Sequence, residues 1–216
     1  MPASALPVHD GLLGASRVPS LARPERAVSV TEVAVLVLLG AAAAAATALP
    51  DLQLRIPGHA ILRSVFPMAL GMALVPRRLS GSVMGGSALA TALLLQAGGA
   101  GGGPGAMTSL ALTGPLLDLA LLGARQPWRL YLGFVLAGLG SNLAAFFVRW
   151  GFRAVDLAHR AGGGGGGGGG RRTAEWLAVA PWTYALCGAL AGLLSAAVWF
   201  HLRSRRGPAE APGAQL

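Results

Sequence analysis

The chain contains very little cysteine and very little charge. Its one cysteine, Cys187, excludes a disulfide within the chain, a redox pair of thiols and a thiolate metal cluster. Charged residues make up only 12% of the 216 residues, whereas hydrophobic residues make up 54% and the mean hydropathy is +0.60. A water-soluble domain carries more charge than this on its surface. We therefore expect one compact membrane domain.

Lysine is absent, so all seventeen basic residues are arginines, and the formal net charge is +9. Such a charge would suit a nucleic-acid-binding protein. The arginines, however, are scattered at the ends of apolar runs, and the sequence has no basic helix face and no basic patch with interleaved aromatic residues. The pattern therefore argues against a nucleic-acid partner.

The apolar residues are grouped in six runs, each close to the length that a helix needs to cross a bilayer. The runs are 28–49, 60–76, 79–98, 106–123, 128–148 and 174–202. They predict an all-α fold, a polytopic membrane bundle of six transmembrane helices over residues 28–202.

The segments around these runs predict loose structure. Residues 1–27 contain four prolines and predict a disordered N-terminal arm, and residues 203–216 predict a disordered C-terminal tail. Nine consecutive glycines lie in a Gly-rich linker over 161–172, which we expect to be a flexible tether because glycine disfavours a helix. The preceding piece, 149–160, mixes arginines with apolar residues and predicts a helix end at the membrane surface.

The arginines in the loops between the runs indicate the topology. Six spans place both termini on one side, and the loops of that side hold most of the arginines, so we expect both termini to be cytoplasmic in the cell inner (plasma) membrane. Five arginines between 149 and 172 disagree with this rule. The small residues Ala46 and Ala48 also resemble a signal-peptide cleavage site, but run 28–49 is longer than a secretory core, so we favour a retained helix.

Ionisable residues inside the apolar runs are few. Asp118 is the most central and follows Pro115, which frees a backbone carbonyl of its helix. Because burying a charge in a bilayer is costly, such residues usually face a bundle interior or a water-filled cavity. Asp118 would then pair with Arg63 or bind a polar ligand. In the alternative, it lies at a helix end and meets solvent or Arg125.

Other polar residues are candidates for lining a pocket. His59 ends the loop 50–59, whose two prolines favour a defined shape that could cover a cavity; alternatively, His59 caps a helix or lies at the interface. Asn142, Trp182 and Tyr184 could line an apolar pocket with a few polar groups, or belong to an aromatic belt at the interface. The predicted ligand-binding residues are His59, Arg63, Asp118, Asn142, Trp182 and Tyr184.

The first run contains alanines at a spacing of four. Ala41 with Ala45, and Ala42 with Ala46, permit the close backbone approach that lets helices associate in lipid. These alanines either pack inside the bundle or form an interface with another membrane subunit.

Signatures of catalysis are missing from the sequence. It has no Gly-x-Ser-x-Gly elbow and no His-Glu-x-x-His helix, and neither glycine-rich segment has the strand and helix context of a phosphate loop. The four histidines are spread over separate regions. We therefore expect no enzyme, no cofactor and no metal site.

Taken together, the chain resembles the substrate-binding S component of energy-coupling factor importers for vitamins or metals. The likeness rests on the six-span layout, the alanine-rich first span, the shaped loop 50–59, and the stretch 56–63 leading into 66–71. Members that take cobalt or nickel start with Met-His, whereas Pro2 follows Met1 here, so a metal substrate is disfavoured.

The resemblance implies a membrane subunit that captures a small micronutrient from outside and has no catalysis of its own. Its partners would be the membrane lipid, a transmembrane coupling subunit and two ATPase subunits. The alanines of the first span would face the coupling subunit, and loop 50–59 with the outer halves of spans four to six would enclose the ligand. The alternative is a structural or assembly membrane protein without a ligand cavity.

Overall fold

The computed structural model describes residues 29–48, 57–123, 126–162 and 169–205, and these residues form six α-helices. The helices are α1 (Val30–Ala48), α2 (Ala60–Leu74), α3 (Ser80–Ala97), α4 (Pro104–Gly123), α5 (Pro127–Gly162) and α6 (Gly169–Arg205). The all-α prediction is therefore confirmed. The predicted arm 1–27, most of the loop 50–59, the middle of the linker (163–168) and the tail from 206 lie outside the described residues.

Four of the described helices are long and apolar enough to cross a membrane. They are α1, α4, the segment Pro127–Asp156 of α5 and the segment Glu175–Leu202 of α6. Helix α2 is apolar but has only 15 residues, a rise of about 22 Å at the usual 1.5 Å per residue. Helix α3 has 18 residues, and serine or glycine occupies a third of its positions. Six transmembrane helices therefore remain a prediction for this chain.

Helices α5 and α6 are longer than the apolar runs indicate. Residues 149–160, which we predicted to form a helix end at the membrane surface, continue α5 as unbroken helix to Gly162, and α6 begins at Gly169, inside the predicted linker. Helix α6 also continues past residue 202 to Arg205. Because adding a residue to an existing helix costs far less than nucleating one, a helix can extend beyond its apolar stretch.

The helices pack in a closed order. Their principal neighbours follow the sequence α1, α3, α4, α5, α6, α2 and back to α1. Helix α2 also touches α3 and α4, and eight of its fifteen residues are buried. The interior is filled by methionine, leucine and aromatic side chains such as Met68, Met84, Leu117, Phe134 and Trp199.

Large apolar side chains also cover the outside of the bundle. Leu38, Leu94, Leu119 and Leu186 are each more than 60% exposed, although they belong to helices whose other faces are buried in the core. A helix that is apolar all round is typical of a membrane span rather than of a water-soluble bundle.

Two helix pairs approach closely through glycine. A Cβ added to Gly138 of α5 would overlap the carbonyl oxygen of Gly188 in α6 and lie 2.9 Å from the backbone nitrogen of Gly192. Gly81 of α3 and Gly114 of α4 are in the same relation, because a Cβ on either would overlap the carbonyl oxygen of the other. Small residues at such positions let helices pack backbone to backbone.

The two ends of the bundle differ in chemistry. At the end where α1 begins, Glu32 makes a salt bridge of 3.0 Å to Arg77, which precedes α3. The core at this end joins Leu121 of α4, Leu130 of α5 and Phe200 of α6. We call it the terminal end. The opposite end, where α2 and α4 begin, we call the cavity end.

Candidate functional site

A cavity of about 320 Å³ lies at the cavity end. It is enclosed by the turn before α2, the first turns of α4, the second half of α5 and the first half of α6. Its lining residues are Pro57, Gly58, His59, Ala60, Gly105, Ala106, Ser109, Asn142, Ala145, Arg149, Arg153, Trp176 and Tyr184. The volume is within the range of about 300–1,000 Å³ that small-molecule sites occupy.

Asn142 holds the wall of this cavity together. Its buried Nδ2 donates to the carbonyl oxygen of Tyr184 at 2.7 Å and to that of Gly58 at 3.2 Å. Gly58 has φ +84°, and a Cβ there would lie 2.9 Å from the Cα of Tyr184, so only glycine fits this turn. One amide thus fixes α5, α6 and the turn before α2 relative to one another.

His59 lies at the N-cap of α2 and lines the cavity. Its Nε2 is 3.2 Å from Nη2 of Arg63, one helical turn further on. Because a guanidinium can only donate, Nε2 of His59 is the acceptor in this contact. Arg63 itself is not a lining residue, but it contacts His59, which is one.

An arginine-bearing face of α5 forms one side of the cavity. Asn142, Ala145, Arg149 and Arg153 are spaced by three or four residues, which places them on one helix face. Gly105, at the start of α4, faces the same stretch, because a Cβ there would lie 3.4 Å from the Cβ of Arg149. Two of the five arginines that disagree with the positive-inside rule therefore line the cavity.

Aromatic side chains of α5 and α6 pack together beside Arg153. Trp176 stacks on Phe146 with 5.6 Å between ring centroids, and Tyr184 lies 5.6 Å from the same ring. The Cζ atom of Arg153 is 4.1 Å from the centroid of Trp176, a cation–π contact that fixes this guanidinium at the cavity wall.

Ser109 of α4 contributes a polar group that is not satisfied by the protein. The residue is 3% exposed, and its Oγ has no hydrogen-bond partner among the described residues. Buried hydroxyl groups are normally hydrogen-bonded. An unpartnered one in a cavity wall is therefore available to a bound molecule.

The structure brings together some of the predicted ligand-binding residues. His59, Asn142 and Tyr184 all line the cavity. Trp182 does not, because its side chain is 73% exposed on the outer surface of α6. Sequence reasoning missed Ser109, Arg149, Arg153 and Trp176 as lining residues. Their spacing could have indicated the two arginines. Arg149 lies seven residues after Asn142, and Arg153 four residues later, so all three share one helix face.

Asp118 lies at the terminal end, away from the cavity. Its two carboxylate oxygens accept hydrogen bonds from the backbone N–H of Gly81 at 2.9 Å, the backbone N–H of Ser82 at 2.7 Å and the Ser82 hydroxyl at 2.8 Å. These groups belong to the first turn of α3, so Asp118 caps that helix from α4. Its partners include neither Arg63 nor a cavity residue, and the partial positive charge of the helix N-terminus balances its own charge.

The predicted partner-interface alanines lie on both faces of α1. Ala42 and Ala45 are exposed, whereas Ala41 and Ala46 are half-buried. The intervening Ala43 and Ala44 are fully buried in the core. The outer face of α1 thus presents small side chains at its surface.

No protein-family model, curated protein or solved structure matches this chain. Its function must therefore be inferred from the geometry of the cavity and of the bundle around it.

Proposed function

We propose that this chain is an integral membrane protein that binds a small molecule, acting as the substrate-binding subunit of an ATP-driven micronutrient importer. The observation that carries the proposal is the cavity of about 320 Å³ at the end opposite the termini. Its wall combines apolar and aromatic side chains with a few converging polar groups, the composition typical of small-molecule sites.

The proposed topology has six spans, with both termini in the cytoplasm and the cavity open to the exterior of the plasma membrane. The apolar outer surface of the bundle supports a position in lipid. The short α2 fits this arrangement. A helix of about 22 Å is shorter than a hydrocarbon core about 30 Å thick, so it leaves space inside the bundle at one of its ends. The cavity lies where α2 begins.

Energy coupling would come from partner chains. In this proposal, the exposed Ala42 and Ala45 of α1 contact a transmembrane coupling subunit, which in turn is driven by ATPase subunits. Small residues on a lipid-facing surface allow that close helix approach. The alternative, a structural or assembly protein without a ligand site, gives no reason for an arginine-lined cavity.

Ligand binding is tested by filling the cavity. Ala106 lines it from the first turn of α4, and Ala106→Phe would occupy much of its space. Ala178→Phe adds the same side chain at an exposed position of α6 and is the matched control. We expect mass spectrometry of the protein purified from its own membrane in mild detergent to find a bound small molecule in the wild type and in Ala178→Phe, but not in Ala106→Phe. Equal recovery from all three, or from none, would contradict the proposal.

Coupling is tested in the same preparation. A pair of ATPase subunits should co-purify with the wild type. Ala42→Trp should release them, whereas Ala154→Trp, at an exposed position of α5 across the helix order from α1, should retain them. A bound small molecule without any co-purifying ATPase would remove the importer assignment and leave a ligand-binding membrane protein.

A further inference from the structure

Positive charge is concentrated on one side of the cavity. Arg149 and Arg153 are one helical turn apart on α5, both line the cavity, and Arg153 is held against Trp176. Like charges four residues apart on a helix repel each other, and a negative charge bound between them relieves that repulsion.

The residues that line the cavity supply no such charge. The lining contains no aspartate or glutamate, and neither arginine makes a salt bridge with a described acidic residue. By contrast, Arg77, which precedes α3, is paired with Glu32 at 3.0 Å.

The backbone adds to the same sign of charge. Both α2 and α4 begin at this cavity, with Gly58, His59 and Ala60 lining it from one helix and Gly105 and Ala106 from the other. The N-terminus of a helix carries a partial positive charge and favours anions.

A separate observation points to a bound polar group. Ser109 Oγ lies one turn inside α4, in the cavity wall, at 3% residue exposure and without a partner among the described atoms. A hydroxyl in this position can donate to an anionic oxygen that the arginines also reach.

We infer that the cavity binds a small molecule through an anionic group, a carboxylate or a phosphate, with Arg149 and Arg153 pairing with the charge and Ser109 donating a hydrogen bond. This inference rests on the proposed function and specifies the substrate class. Trp176 and Tyr184 line the cavity and both pack on the buried ring of Phe146, so they offer an aromatic wall to the uncharged part of the molecule.

The test compares probes of equal shape and different charge. Benzoate and benzamide share a planar ring, but only benzoate is an anion, and inorganic phosphate carries charge without a ring. The full chain is purified in an uncharged detergent, and the shift in its melting temperature is measured for each probe against sodium chloride of equal ionic strength. We expect benzoate and phosphate to raise the melting temperature and benzamide to leave it unchanged.

Variants assign the effect to the cavity. The double variant Arg149→Gln/Arg153→Gln should weaken benzoate binding by about tenfold or more, since each arginine loses a charge-assisted hydrogen bond. Arg129→Gln is the matched control, because Arg129 also lies on α5 over a tryptophan ring, 5.3 Å from the centroid of Trp128, but outside the cavity lining. The double lysine variant keeps the charge and should recover part of the binding, which separates a lost site from a misfolded protein.

The outcomes separate this inference from the proposed function. Equal shifts with benzamide and benzoate, or an unchanged benzoate shift in the glutamine variant, would overturn the anion assignment while leaving a ligand cavity in place. No shift with any probe, charged or neutral, would count against both.

A lipid headgroup could supply the same phosphate chemistry. The wild type and the glutamine variant are therefore compared in nanodiscs of phosphatidylcholine with and without phosphatidylglycerol. Arginine-dependent stabilisation by phosphatidylglycerol, with loss of the benzoate effect, identifies the anion as lipid. A benzoate effect that is independent of the lipid identifies it as a soluble solute. Both results support the anionic site.

Discussion

Removing the carboxylate of Asp118 should destabilise the bundle strongly. In Asp118→Ala, the backbone N–H groups of Gly81 and Ser82 and the Ser82 hydroxyl lose their acceptor. The Gly81 amide is buried, so water cannot replace the lost bond without entering the bundle. The first turn of α3 would then begin with unsatisfied donors.

The expected cost follows from two contributions. Loss of an N-terminal cap typically costs about 0.5–2 kcal/mol, and a buried donor left without a partner costs about 1–3 kcal/mol. We expect Asp118→Ala to lower the free energy of unfolding by about 2–4 kcal/mol. Asp118→Asn keeps one acceptor oxygen but replaces the other with an NH2 donor that faces the N–H of Gly81 or Ser82, so it should also destabilise the bundle, by about 1–3 kcal/mol.

The measurement is reversible unfolding of the purified protein in mixed detergent micelles, followed by tryptophan fluorescence and circular dichroism. Ser82→Ala removes one of the three bonds and should cost about 1 kcal/mol. Ser87→Ala is the matched control, because the Ser87 hydroxyl donates only to Met84 O in its own helix. If Asp118→Ala unfolds as the wild type does, then Asp118 does not cap α3, and the account of its place in the bundle is wrong.

Two further predictions concern helix contacts and use the same preparation. Gly138→Ala should lower the free energy of unfolding by about 1–3 kcal/mol, because the added Cβ would overlap the backbone of α6. The control Gly140→Ala should be neutral or slightly stabilising, because a Cβ there makes only an ordinary contact, at 3.8 Å. Equal effects of the two variants would argue against close packing of α5 and α6. Glu32→Gln should lower the melting temperature slightly, because it weakens the two-point contact with Arg77. The control Arg78→Gln, at an exposed site, should lower it less, and a larger effect of Arg78→Gln would refute this assignment.

The sequence predicts the helices well where apolar runs define them. The starts of α2, α4 and α5 lie within two residues of the predicted runs, because a change from polar or Gly/Pro-rich residues to apolar residues marks each start. The apolar runs do not mark where α5 ends or where α6 begins. Residues 149–162 lack an apolar pattern, and they remain helical by continuing a helix that is already formed.

The site is predicted only in part. His59, Asn142 and Tyr184 stand out as polar or aromatic residues near span ends, and the structure brings them to one cavity. In the sequence, Arg149 and Arg153 stand out only because they disagree with the positive-inside rule. Counting charges does not show that both lie on the helix face that lines the cavity. The role of Asp118 depends on the pairing of α3 with α4, which no local pattern encodes.

The cap on α3 has a consequence for biogenesis. Helix α3 leaves the ribosome before α4, although α4 carries Asp118, which caps α3. Helix α3 is also the more polar of the two. Alone in hydrocarbon, its leading amides would lack acceptors, at several kcal/mol per group. In the proposed six-span topology, insertion of the two as a hairpin would avoid that intermediate, so Asp118 would decide when α3 settles in the bilayer during synthesis.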